Sequence, residues 1–214
     1  MSQLQKTGAF ILLSTKIDFK RELKHLYNPS AREVSIVDIP AMNFLMVNGE
    51  GAPTSPQYMQ SIEALFTVSY ALKFMVKKVK SFDYGVMPLE GLWWTDNMNE
   101  FTTASKDKWK WTSMIMQPQY VQEADVKTAI EQVLKKKELP AINKIVFDNF
   151  HEGLAAQILY TGPYAEEGPA ITKIHEYIHK NGHELSGKHH EIYLNDPSRT
   201  SPEKLKTILR QPMK

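Results

Sequence analysis

The chain of 214 residues has no cysteine. That excludes a disulfide framework, thiol catalysis and any thiolate-bound metal, and it suits a reducing compartment. Nor is there an apolar run near the roughly 18 residues that a membrane span needs. The short stretch 9–13 lacks the length and the cleavage pattern of a secretory signal. A cytoplasmic location without a membrane partner is expected. Charge of one sign is scarce too: 26 basic residues against 24 acidic ones leave a net +2. This is too little to hold an anionic polymer, so no nucleic-acid partner is expected. Glycine-rich phosphate loops, nucleophile elbows and metalloprotease helices are all missing, and no cofactor is expected.

What remains is the composition of an ordinary folded protein, 42% apolar and 23% charged, with length enough for one large domain or two small ones. Residues 18–27 read as a short amphipathic helix within an N-terminal appendage, 1–30. Strand-like residues follow at 34–39 and 43–47, broken by Pro40. Ser55 and Pro56 then form a cap and first turn. From there Ile62, Leu65, Leu72, Val76 and Val79 make one helical stripe up to about Lys80, and Phe66, Tyr70 and Phe74 a second, aromatic one, both read as core. Runs 84–94 and 108–118 read as a hairpin, with Trp109, Trp111, Ser113 and Ile115 on one face by alternation. Residues 122–138 read as a surface helix whose end carries Lys135, Lys136 and Lys137.

After Pro140 the order repeats: strands at 144–150 and 154–160, a helix at 169–180, a strand at 191–195 and a short capped helix at 201–209. The two halves, about 34–118 and 144–212, are therefore expected to be copies of one α+β unit. Two helices on one face of an antiparallel sheet would leave a cleft at the seam, a common place for a small-molecule pocket.

Isolated carboxylates among aromatic residues stand out. Glu90 precedes Trp93 and Trp94; Glu191 follows His189 and His190 and precedes Tyr193 on its own face. A carboxylate on such a strand is costly to bury unpaired, so it marks a satisfied network or a polar site. His175 and His179 are spaced to share a metal ion, but no third ligand can be placed, and no metal site is assigned.

The blocks Asp38-Ile39-Pro40-Ala41-Met42-Asn43-Phe44-Leu45-Met46, Met87-Pro88-Leu89-Glu90-Gly91-Leu92-Trp93-Trp94, Met114-Ile115-Met116-Gln117-Pro118 and Gly187-Lys188-His189-His190-Glu191-Ile192-Tyr193-Leu194 closely resemble the GyrI-like small-molecule-binding family. The resemblance implies a tandem strand-helix-strand-strand pseudo-dimer forming a single domain over 1–214, with a ligand cleft between its halves. The stretch before Val34 is too short for a helix-turn-helix unit, so a stand-alone binder or enzyme is expected. The Trp-rich sequence looks most like the stand-alone branch that hydrolyses the cyclopropane of DNA-alkylating cyclopropanoid compounds in an aromatic cage. By that resemblance Glu191 is the pocket glutamate. In the hydrolytic reading Glu191 or Glu90 activates a water and Tyr193 donates to the oxygen that gains negative charge, so Glu191 and Tyr193 are the expected catalytic residues. Phe44, Glu90, Trp93, Trp94, Trp111, Tyr160 and Tyr164 are then the candidate ligand-binding residues. The expected ligand is a hydrophobic aromatic or cationic small molecule; the rival reading is a non-catalytic protein that sequesters hydrophobic cations.

Overall fold

Ser55 and Pro56 start the longest element of the computed structural model, which describes residues 16–98, 101 and 105–214. The Ser55 hydroxyl accepts the Tyr58 amide at 3.3 Å, and Pro56 occupies the first turn, where its missing N–H costs nothing. Helix α3 (Pro56–Lys80) buries Leu65, Leu72 and Val76 of the predicted stripe, together with Ala64 and Val68. The aromatic stripe does not go to the core: Tyr70 and Phe74 are exposed, as is Val79. The stretch 9–13 and part of the 95–107 connection lie outside the described residues.

Eight strands form one antiparallel sheet: β1 (Ser35–Ile39), β2 (Met42–Glu50), β3 (Leu89–Trp94), β4 (Lys110–Gln117), β5 (Val146–Phe150), β6 (Gly153–Thr161), β7 (His189–Tyr193) and β8 (Lys206–Pro212), in spatial order β1-β6-β8-β7-β3-β4-β2-β5. Exchanging β1 with β5, β2 with β6, β3 with β7 and β4 with β8 turns this order into its own reverse. The α+β fold is thus a duplicated unit with its seam between β3 and β7. The first strand of each half pairs with the other half, β1 on β6 and β5 on β2. Only Pro40 and Ala41 separate β1 from β2. At about 3.6 Å per residue that link spans only ~11 Å, so the two edges of the sheet approach each other and the sheet curls.

The C-terminal segment corrects the sequence reading. Ser201 and Pro202 start only a 3-10 turn, Pro202–Lys204, and residues expected to be helical become β8. The pairing and burial of a central strand, covered on both faces after Lys206, outweigh the local helix-start signal, because β8 fills the place between β6 and β7 that β4 holds in the first half.

Helix α3 lies over β2 and β4, and α5 (Gly168–Lys180) over β6 and β8, leaving β3 and β7 as the floor between them. Helix α4 (Glu123–Leu134) packs on α3. The described part of the appendage forms two single turns, α1 (Phe19–Glu22) and α2 (Lys24–Tyr27), and α2 buries Leu26 and Tyr27. No helix of the described residues is long and apolar enough to cross a membrane.

Candidate functional site

Directly paired residues of an antiparallel ladder share a face, and chain neighbours alternate. Trp111 pairs with Trp93, Ser113 with Gly91, and Gly91 with Glu191, while Leu89 pairs with Tyr193. Trp93, Trp111, Glu191 and Tyr193 therefore share the face covered by α3, where Tyr58 packs against both tryptophans with ring centroids 5.1 Å away. The Trp93 indole N–H donates to the Tyr193 hydroxyl at 3.0 Å, and that hydroxyl donates to Glu191 Oε2 at 2.7 Å. His189 Nε2 lies 3.3 Å from Glu191 Oε1. Trp109 meets Trp93 edge-on at 5.6 Å, Phe101 stacks on Trp109, and Tyr164 meets Tyr193 edge-on at 5.7 Å.

The Glu191 carboxylate thus stands in a wall of rings, its side chain 13% exposed. Burial, then the charge of Glu191, pushes the Tyr193 phenol far above its ordinary range, so it stays a donor. Trp93 and Trp111 are fully buried, whereas Tyr164 is exposed. Tyr160, on the same face, is held by donation to the Pro163 carbonyl at 3.0 Å.

Gly91 makes this arrangement possible. A Cβ there would stand 2.7 Å from Trp93 Nε1 and 3.2 Å from the Tyr193 hydroxyl oxygen. Gly91→Ala is expected to break the Trp93–Tyr193 hydrogen bond and to change tryptophan fluorescence and near-ultraviolet dichroism, at a stability cost of about 1–3 kcal/mol. Unchanged spectra would refute the close packing.

Three candidates fall elsewhere, because strand parity places them on the opposite face. Phe44 is buried edge-on to Phe150 at 6.2 Å. Trp94 lies under Lys188, whose Nζ is 3.5 Å from the ring centroid. Glu90 is fully buried, accepting from the Tyr27 hydroxyl at 2.7 Å and facing His190 Nε2 at 3.0 Å. It does not share a cavity with Glu191. His190 Nδ1 in turn faces Glu152 at 2.9 Å, and Arg210 donates to Glu152 at 3.1 Å, to Gln157 at 2.9 Å and to the Leu26 carbonyl at 2.9 Å. Gln157 donates to the His25 carbonyl at 2.7 Å. This buried network of two basic and two acidic side chains pins α2 to the sheet.

Tyr58, Trp109 and His189 were not among the sequence candidates. Trp109 shared the predicted face with Trp111; Tyr58 carried no signal beyond its place in the first turn of α3. His175 is half-buried and His179 exposed, and no group of three or more metal-ligating side chains occurs among the described residues.

A carboxylate set in aromatic walls at the seam of a duplicated α+β unit defines a small-molecule-binding fold. The chain belongs to the GyrI-like family: the model of the GyrI-like small molecule binding domain matches residues 32–214. It is similar to the structure of an uncharacterized conserved protein from Listeria innocua, 36% identical over 93% of this chain and 100% of that one, with a TM-score of 0.86. It is also similar to a structure described as a hydrolase from Listeria innocua, 35% identical over 94% and 100% of the two chains, with a TM-score of 0.84. The C-terminal domain of EcmrR, 13% identical over 85% and 97% of the chains at a TM-score of 0.56, shares the fold alone. No curated protein matches the chain significantly.

Proposed function

We propose that the protein binds a flat hydrophobic molecule at the β3–β7 seam and hydrolyses a strained ring in it, cyclopropanoid DNA-alkylating compounds being the substrate class. The observation that carries this reading is Glu191, fixed at one oxygen by Tyr193 and approached at the other by His189, inside the aromatic wall of Tyr58, Trp93 and Tyr164. The resemblance to a hydrolase-described structure at 35% identity supports it. The rings hold and orient the substrate, and Glu191 takes the proton of a water aimed at the ring carbon. Tyr193 serves as a positioning residue: its O–H is committed to Glu191 and leaves the substrate oxygen to another donor. Such an activity would protect a cell against the alkylating compound.

The same carboxylate among aromatic faces also suits a hydrophobic cation held without chemistry. Incubation with a cyclopropane conjugated to a carbonyl, followed by mass spectrometry, separates the two. A product heavier by one water supports hydrolysis; unchanged compound retained in stoichiometric amount overturns it in favour of the binder.

A further inference from the structure

Ring opening by water needs a base for the water and an acid for the oxygen that receives the electron pair. Glu191 fills the first role, and the nearest phenol cannot fill the second, because Tyr193 donates its only proton to Glu191. One more carboxyl lies at the same place. Glu167 occupies the position before α5, and its side chain makes no capping bond to the free helix amides. It is turned neither to the amides nor to water: the residue is only 4% exposed, and its Oε1 has no hydrogen-bond partner. The Thr207 hydroxyl, on the residue paired with Tyr193 across β7 and β8, is buried beside it and is turned toward its carboxyl group. Three residues before Glu167 stands Tyr164, whose ring meets Tyr193. A buried carboxyl oxygen left open at the edge of an aromatic site marks a place where a ligand's polar atom completes the bonding.

We propose that Glu167 is the second functional carboxyl of the seam, donating its proton to the carbonyl oxygen of the substrate while Glu191 accepts the proton of the attacking water. The proposal rests on the hydrolase reading. In the step, a water oxygen bonds to the ring CH2 as one ring C–C bond breaks. The released pair passes through the conjugated system to the carbonyl oxygen, which takes the Glu167 proton. The water's proton goes to Glu191, so one water is consumed, and a proton returning through solvent from Glu191 to Glu167 resets the site. Burial, and then the negative charge of Glu191, raises Glu167 to about 9, keeping it an acid at neutral pH. The groups facing it are Glu191 of β7, Thr207 of β8, Lys106 of the turn before β4, and the phenols Tyr160 and Tyr164. Lys106 opposes the shift with the smallest effect of these causes.

The test compares wild type with Glu167→Gln on the carbonyl-conjugated cyclopropane, with dichroism at every pH to certify folding. Glutamine keeps the shape of the neutral acid and a hydrogen-bond donor but cannot give up a proton. A fall in kcat of about 10²-fold or more with KM little changed is expected. Wild-type kcat is expected to fall above about pH 9, and that alkaline limb to vanish in the variant. A variant within about threefold of wild type, or one that keeps the limb, overturns the proposal while leaving the hydrolase reading intact. If the variant fails to fold, the wild-type profile decides: a flat rate to about pH 10 overturns it. Wild type that opens no ring removes both readings.

Discussion

Glu191→Gln is expected to slow ring opening by about 10²–10⁴-fold, the range for loss of a positioned general base, while affinity for the intact compound changes far less. The amide still accepts the Tyr193 hydroxyl bond, so the hydrogen-bonded chain from Trp93 through Tyr193 persists and the aromatic wall keeps its shape. Binding measured by calorimetry and turnover measured by product formation must therefore separate. Parallel loss of both would make Glu191 a structural carboxylate. If the protein is instead a binder of hydrophobic cations, the same substitution removes the countercharge and weakens cation binding, with neutral aromatic ligands unaffected.

The second large effect lies on the other face of the sheet. Arg210→Met should destabilise the fold by about 3–5 kcal/mol, because Glu152 would remain buried with only His190 to oppose its charge. Arg210 also bonds the Leu26 carbonyl and Gln157, so the clasp on α2 loosens in the same step. At about 2–4 °C per kcal/mol for a chain of this size, Tm should fall by roughly 10 °C. A change under about 1 kcal/mol would place the network among the marginal ion pairs of an exposed surface.

The pH dependence of wild-type stability follows from the same groups. Burial alone would raise Glu152, but His190 and Arg210 prevail and hold it near 2. Its folded value is depressed, so its contribution is present above the unfolded value and is lost as pH falls toward about 2. His190 behaves oppositely. Burial opposes its charge, but Glu152 and Glu90 raise it, so its contribution is full below the ordinary histidine value and fades as pH rises through the folded one. Thermal melts across pH should show an acid loss that Glu152→Gln removes.

Much of the architecture could be read from local chemistry. The Ser55-Pro56 start of α3, the shared face of Trp109 and Trp111, and the repeat of strand and helix all follow from spacing. The site was read less completely, because a strand's two faces are assigned by its partner's register and not by its own letters. Glu90 and Glu191 look alike in sequence, yet one residue of parity sends the first into a buried network and the second into the seam. Arg210 and β8 were hidden by a Ser-Pro helix start that yields one turn. Glu167 resembled an ordinary residue at a helix start; only its burial and lack of a cap distinguish it.

The exchange of first strands constrains how a guest gets in. Each half is sewn into the other at a two-residue corner, Pro40-Ala41 in one and His151-Glu152 in the other, and Glu152 is itself clamped by Arg210. Swinging the halves apart like a clam shell would tear β1 from β6 and β5 from β2. For the flat guest proposed above, entry is then expected through rotation of individual rings, with selection by thickness as its consequence: planar molecules should pass and bulky globular ones be turned away.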